Sequence, residues 1–392
     1  MKTVDAKKLE TSSQSNLLVL ALMAFGVATF LAGLSVDPHH TWFSFLVCHT
    51  FFMGLGIGAC FILVIHYLAS AGWIIVARRI FEAMASYIPV AFAFNLLLFF
   101  GLKKIYPWTD TVYMQSDKIL AAKIGFFSFP FYAARVLFFF VITTWLSQKL
   151  ICNSTAQDKE GGVERTNKQK PLSALFLVLF APSFTMFSVD LVKSLDPKWF
   201  STMFGVYMFI GFVQASVAAA ILMIRSLQHH GYLKELTDDH FHDLGKYLFG
   251  FSIFWAYIGV SQYLLIWYAN LPEETTFYLA RQVPGWVFVA ISLPLFRFFL
   301  PFLMLLPRAA KRSCAYLAFV SCIVLFGEWI DLNYLIMPTF SPDGFRVGWQ
   351  DFGLFIGFFG FFLFFVRRFL AKQATMPVKD PYLHESLHHH VM

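Results

Sequence analysis

The chain has 392 residues, of which 58% are hydrophobic and 14% charged, a composition that excludes a soluble globule and a disordered chain. Its formal charge of +7 mostly follows from where the loops between apolar runs place Lys and Arg, and no nucleic-acid footprint is read from it. Runs of about 20 apolar residues recur instead, the length a helix rising about 1.5 Å per residue needs to cross about 30 Å of hydrocarbon.

Ten such runs are predicted, at about 17–36, 43–69, 84–104, 124–148, 172–192, 199–228, 244–270, 281–306, 313–337 and 348–370. The expected fold is an all-α integral membrane protein. The first run follows Lys2, Lys7 and Lys8 but exceeds the 7 to 15 apolar residues of a signal peptide, so it is expected to be retained. Lys and Arg favour the cytoplasmic ends of spans. Twenty of the 30 fall at the termini and in the loops after spans 2, 4, 6 and 8, counting Lys246 at the start of span 7. Eight lie in the loops between, and Arg135 and Arg297 lie inside spans. Both termini are expected on the cytoplasmic side. The polar segment 151–171 reads as a mobile linker between spans 4 and 5. The His-rich tail, "HESLHHHVM", reads as a solvated end rather than a metal site.

Four features recur in order. "WFSFL" at Trp42 opens span 2 and "WFSTM" at Trp199 opens span 6; "SFP" precedes Arg135 in span 4 and "SLP" precedes Arg297 in span 8. Asp190 stands seven residues before Pro197, and Asp331 seven before Pro338. Spans 2–5 and 6–9 are therefore predicted to be parallel copies, each a four-helix bundle, because a four-span unit returns the chain to its starting side. The expected units are 1–41 (N-terminus and span 1), 42–150, the linker 151–171, 172–198 completing the first bundle, 199–340 (second bundle) and 341–392 (span 10 and tail). "GLGIGA", Gly54 to Ala59, reads as close helix packing, not a dinucleotide fingerprint, since no strand precedes it.

Ionisable residues inside a bilayer are costly and face a bundle interior. The predicted set is His49 on span 2, Asp190 on span 5 and Glu328 with Asp331 on span 9, with Arg135 and Arg297 as interior charge partners. His66 and Glu82 lie toward the cytoplasmic end. Glu328 and Asp331, three residues apart, share a helix face. Two carboxylates so close resist ionising together, a property suited to a proton relay; neutralisation by the two arginines is the structural alternative. His49 and Asp190 are also the candidates for contact with a quinol. His49 and His66 are separated by roughly 25 Å of one helix and cannot clamp one haem iron. The five cysteines show no C-x-x-C pair, and no metal site is predicted.

The segments "GLGIGACFILVIHYLASAGW", "ARRIFEAM", "WFSTMFGVYMFIGF", "HDLGKYLFGFSIFWAYIGVSQYLLIWYANLPEET", "PFLMLLPRAAKR" and "DLNYLIMP" resemble the F-subunit family of alternative complex III, a bacterial quinol:cytochrome c oxidoreductase, within the wider NrfD/PsrC-like group. The resemblance runs from about Trp42 to the tail. It implies two four-helix bundles with flanking helices and a multi-pass subunit of the bacterial inner membrane. It implies no cofactor held by this chain, although quinol is possible, with haem c and iron–sulfur clusters in partner subunits. The implied partners are the multihaem cytochrome and iron–sulfur subunits, the sister C subunit and a cytochrome oxidase. The expected role is support of quinol oxidation, with proton conduction through Asp190, Arg135, Arg297, Glu328 and Asp331. A quinol-binding subunit of another NrfD/PsrC-like oxidoreductase, a secondary transporter with parallel repeats and a structural scaffold are the alternatives.

Overall fold

The structure is a computed structural model whose described residues are 7–391; residues 1–6, with Lys2, and Met392 lie outside them. Ten helical segments are long and apolar enough to cross a membrane: Ser13–Val36, Pro38–Leu68, Ile75–Ile105, Phe129–Glu160, Glu164–Leu195, Phe204–His229, Asp238–Ala269, Pro284–Leu305, Cys314–Thr339 and Trp349–Lys372, spans 1 to 10 below. No strand forms among the described residues, and the chain is an all-α, multi-pass membrane protein.

Spans 2 and 6 form the centre and are far more buried than any other span. Small residues bring them together, since a Cβ at Gly58 would collide with the Phe212 carbonyl and the Ser216 hydroxyl. Around span 2 pack spans 3 and 5, with span 4 closing the group; around span 6 pack spans 7 and 9, with span 8 closing it. Span 5 reaches across to span 6 and span 9 to span 2, so the two bundles exchange equivalent contacts. Both copies run in the same sense. His66, near the end of span 2, meets Tyr247 of span 7, and Tyr232, just past span 6, bonds the backbone of Glu10. Both ends therefore lie where the termini lie. Spans 1 and 10 pack along each other, with Gly26 against Gly357, and lie against spans 2 and 3 of the first bundle.

Two expectations are corrected. The segment 151–171 is no mobile linker: span 4 continues to Glu160, span 5 begins at Glu164, and the turn is made by Gly161 and Gly162 at φ of 73° and 82°. These are left-handed values that glycine adopts without strain. The tail is solvated only in part: His384, Glu385, His388 and His390 are exposed, but the chain leading to them and Ser386 and His389 among them are tied to the protein. Thr375 bonds the backbone of Lys7, Asp380 pairs with Arg78 at 2.7 Å, Ser386 bonds Trp73 O and Val76 N, and His389 meets Asp243 at 2.6 Å. The chain after span 10 is thus laid across the ends of both bundles. Composition could not show this, because its partners are the span-end charges that look solvent-facing in sequence.

Candidate functional site

In the second bundle, Pro294 interrupts span 8 and the next turn, Leu295–Phe299, is a π-helix carrying Arg297. Proline removes one ladder donor and clashes with the preceding turn, and π segments concentrate where a helix is held irregular for function. Arg297 is fully buried. Its Nη1 donates to Glu328 Oε2, and its Nε lies 3.8 Å from Asp331 Oδ2. Asp331 accepts from the Tyr207 hydroxyl at 2.7 Å and from the Trp255 indole N–H at 2.9 Å. Trp255 also lies under the guanidinium, 5.0 Å from its ring centroid. Gln214 donates to Ser252 at 2.7 Å and to the Arg297 carbonyl at 3.2 Å. Space for this group is made by two glycines: a Cβ at Gly211 would lie 3.0 Å from Arg297 Nη2, and one at Gly327 would lie 3.0 Å from Arg297 Cδ.

The corresponding site of the first bundle is simpler. Arg135 makes a two-pronged bond to Asp190, Nε to Oδ2 at 2.7 Å and Nη2 to Oδ1 at 2.6 Å, with a third bond to Phe126 O at 3.0 Å. The rings of Phe126 and Phe131 lie 4.0 and 4.3 Å from the guanidinium carbon. Three residues before Asp190, where the second bundle has Glu328, stands Phe187, stacked on Phe139 at 4.2 Å. One guanidinium thus meets one carboxylate here and two carboxylates in the second bundle.

The remaining sequence-predicted residues do not join either group. His49 is fully buried and paired through Nε2 with Asn95 at 3.2 Å, among Phe45 and Phe358. His66 bonds Ile62 O and Tyr247. Glu82 sits at the termini end on the first half of span 3, Ile75–Ala85, between Arg78 and Arg79. Arg79 also pairs with Asp158 and bonds Ser154, and Arg78 pairs with Asp380. Span 3 was expected to start at 84; it starts nine residues earlier because these charges neutralise one another inside the protein. A cavity of about 30 Å³, room for one or two waters, is lined by His66, Tyr67, Arg78 and Asp380.

Sequence reasoning missed Tyr207 and Trp255, whose hydrogen bonds orient Asp331. It also missed a cluster at the opposite end: Asp351 at the start of span 10 accepts from Ser44 at 2.5 Å, lies 3.0 Å from His40 Nε2 and accepts from Gly348 N–H. The 311-residue separation of His40 and Asp351 left no local signal, although both are charged or titratable at span starts. Asp351 borders a groove of about 1320 Å³ between spans 9 and 10, walled by Phe52, Leu222, Trp329, Phe355 and Phe359.

Among the described residues no group of three His, Cys, Asp or Glu side chains converges as a metal site would require. In comparisons with known proteins, no family model matches the chain and no curated protein matches it.

Proposed function

We propose that this chain is a proton-handling membrane subunit of a respiratory quinol:cytochrome c oxidoreductase of the alternative complex III type. One observation carries the reading: Arg297 faces two carboxylates, Glu328 and Asp331, inside a bundle. With one proton on the pair of acids the group is electrically neutral, and with that proton released it carries one negative charge. Such a group takes up and passes on a proton without stranding an unpaired arginine. Tyr207 holds Asp331 through a hydroxyl that both donates and accepts, which suits a relay. Quinol oxidation releases two protons and two electrons. The electrons go to the haem and iron–sulfur partners, and the acids of this chain serve the protons. The basic end carrying the termini would face the cytoplasm, and the membrane would be the bacterial inner membrane.

The test is to purify the chain from its native membrane and identify what accompanies it. Multihaem cytochrome and iron–sulfur subunits are expected, along with an intact complex in which Glu328→Gln or Asp331→Asn slows quinol turnover and the proton release that accompanies it. Transport activity of the isolated chain in liposomes would instead establish a secondary transporter.

A second reading has this chain itself holding the quinol. It is favoured by the groove of about 1320 Å³, which is apolar along its walls and large enough for an isoprenoid chain. Neither His49 nor Asp190 lines that groove, whereas Asp351 does. An inhibitor-bound structure with no ligand in this groove would end that reading.

A further inference from the structure

We propose that the junction of the two bundles, at the end opposite the termini, is a binding site for a small oxyanion, a phosphate or carboxylate group, held by Lys193 and Arg281. Both line one cavity of about 280 Å³, together with Asp196, Trp199, Phe277 and Pro338. Its walls come from the end of span 5, the approach to span 6, the short helix Pro272–Leu279 and the end of span 9, so both repeats contribute. With a water occupying about 30 Å³ of liquid, there is room for a phosphate group and several waters.

The charge balance of this cavity is unusual for a protein interior. Lys193 and Arg281 are 7% and 6% exposed. Arg281 gives three of its five N–H donors to backbone carbonyls, Tyr334 O at 3.0 Å, Phe277 O at 2.7 Å and Leu335 O at 3.2 Å, and its guanidinium carbon lies 3.5 Å from the Phe277 ring centroid. Carbonyl oxygens orient a guanidinium but leave its charge uncompensated. Among the described residues no carboxylate lies within ion-pair distance of either cation. Asp196 is the one acid on the wall, and its Oδ1 accepts from the Trp199 N–H at 3.2 Å. Lys123, close by, donates to Pro197 O at 2.7 Å and Lys198 O at 3.0 Å and adds a third positive charge. Asp196 sets one negative charge against three positive ones, and burying that excess is costly, a cost a bound anion relieves. Burial itself pushes the Arg281 guanidinium down to about 10 and lowers the Lys123 amine from its usual range. A planar guanidinium and a mobile ammonium are the pair proteins use for phosphate and carboxylate groups. Lys193 and Arg281 take no part in the proton-handling group, so this site stands or falls separately from the proposed function.

The test uses the full chain purified in detergent, with thermal unfolding followed while inorganic phosphate replaces chloride at constant ionic strength. A second arm uses a water-soluble short-chain phosphatidylglycerol. A saturable rise in Tm with either probe is expected, and which probe acts more strongly identifies free anion or lipid headgroup as the source. Lys193→Met should weaken the apparent affinity about tenfold or more, and Lys193→Arg should restore most of it. Ala280→Phe, which fills the cavity while leaving both cations, should abolish the shift. The proposal is overturned if neither probe differs from chloride with the wild-type chain, or if Lys193→Met responds as the wild type does.

Discussion

The two bundles hold an arginine at matching places and answer it differently. In the first, Arg135 binds both oxygens of Asp190 through two short bonds, and the preceding turn of the helix carries Phe187 packed on Phe139. In the second, Glu328 takes the place of that phenylalanine, and Asp331 turns to Tyr207 and Trp255. A closed pair is a fastening between spans 4 and 5, whereas under the proposed function a guanidinium with two acids retains a proton to exchange. Under that function the two bundles divide a structural role from a chemical one, and Phe187 against Glu328 is one of the differences between them. The π-helical turn at Leu295–Phe299 marks the same distinction, for the described backbone around Arg135 is plain α-helix.

The comparison is broken most severely by removing the arginines. Arg297→Met leaves two buried carboxylates facing each other and is expected to cost about 3–5 kcal/mol, read as loss of helical signal on heating in detergent. Arg135→Met strands a single acid and should have the smaller effect in the same measurement. Importing the second acid into the first bundle comes next. Phe187→Glu removes the stack on Phe139 and buries a carboxyl group with no free cation, an expected loss of about 2–3 kcal/mol. Glu328→Gln, by contrast, leaves Arg297 with Asp331 and should lower stability by only about 1 kcal/mol while depressing proton release in the assembled complex. Gly211→Ala places a methyl group 3.0 Å from Arg297 Nη2 and Glu328 Oε2. It should cost about 1–3 kcal/mol and disturb only the second site. Smallest is His389→Ala on the tail, a partly exposed pair with Asp243. Its effect should stay within about 1 kcal/mol, with faster hydrogen exchange in the tail as the sharper readout.

Much of this organisation is legible in the sequence. The apolar runs marked all ten spans because a helix has to cover the hydrocarbon thickness with little polar surface. The repeated Asp-to-Pro spacing identified Asp190 and Asp331 as equivalents, and the arginines followed as their partners. What stayed hidden were polar contacts between residues distant in sequence. Arg78, Arg79 and Glu82 looked like a cytoplasmic loop because their compensating charges, Asp158 and Asp380, lie far along the chain. Tyr207 and Trp255 are indistinguishable in composition from the many aromatics that face lipid, and only their bonds to Asp331 set them apart. His49 illustrates the reverse case, a histidine conspicuous in sequence whose one side-chain hydrogen bond is to Asn95.

The central claim is that an exchangeable proton resides in the second bundle and not in the first. Infrared difference spectroscopy of the carboxylic-acid carbonyl band, recorded across a pH step on the purified protein, reads this directly. The band is expected in the wild type and in Asp190→Asn, and is expected to be lost or shifted in both Glu328→Gln and Asp331→Asn. A band that disappears with Asp190→Asn, or persists unchanged through both second-bundle variants, would contradict the account.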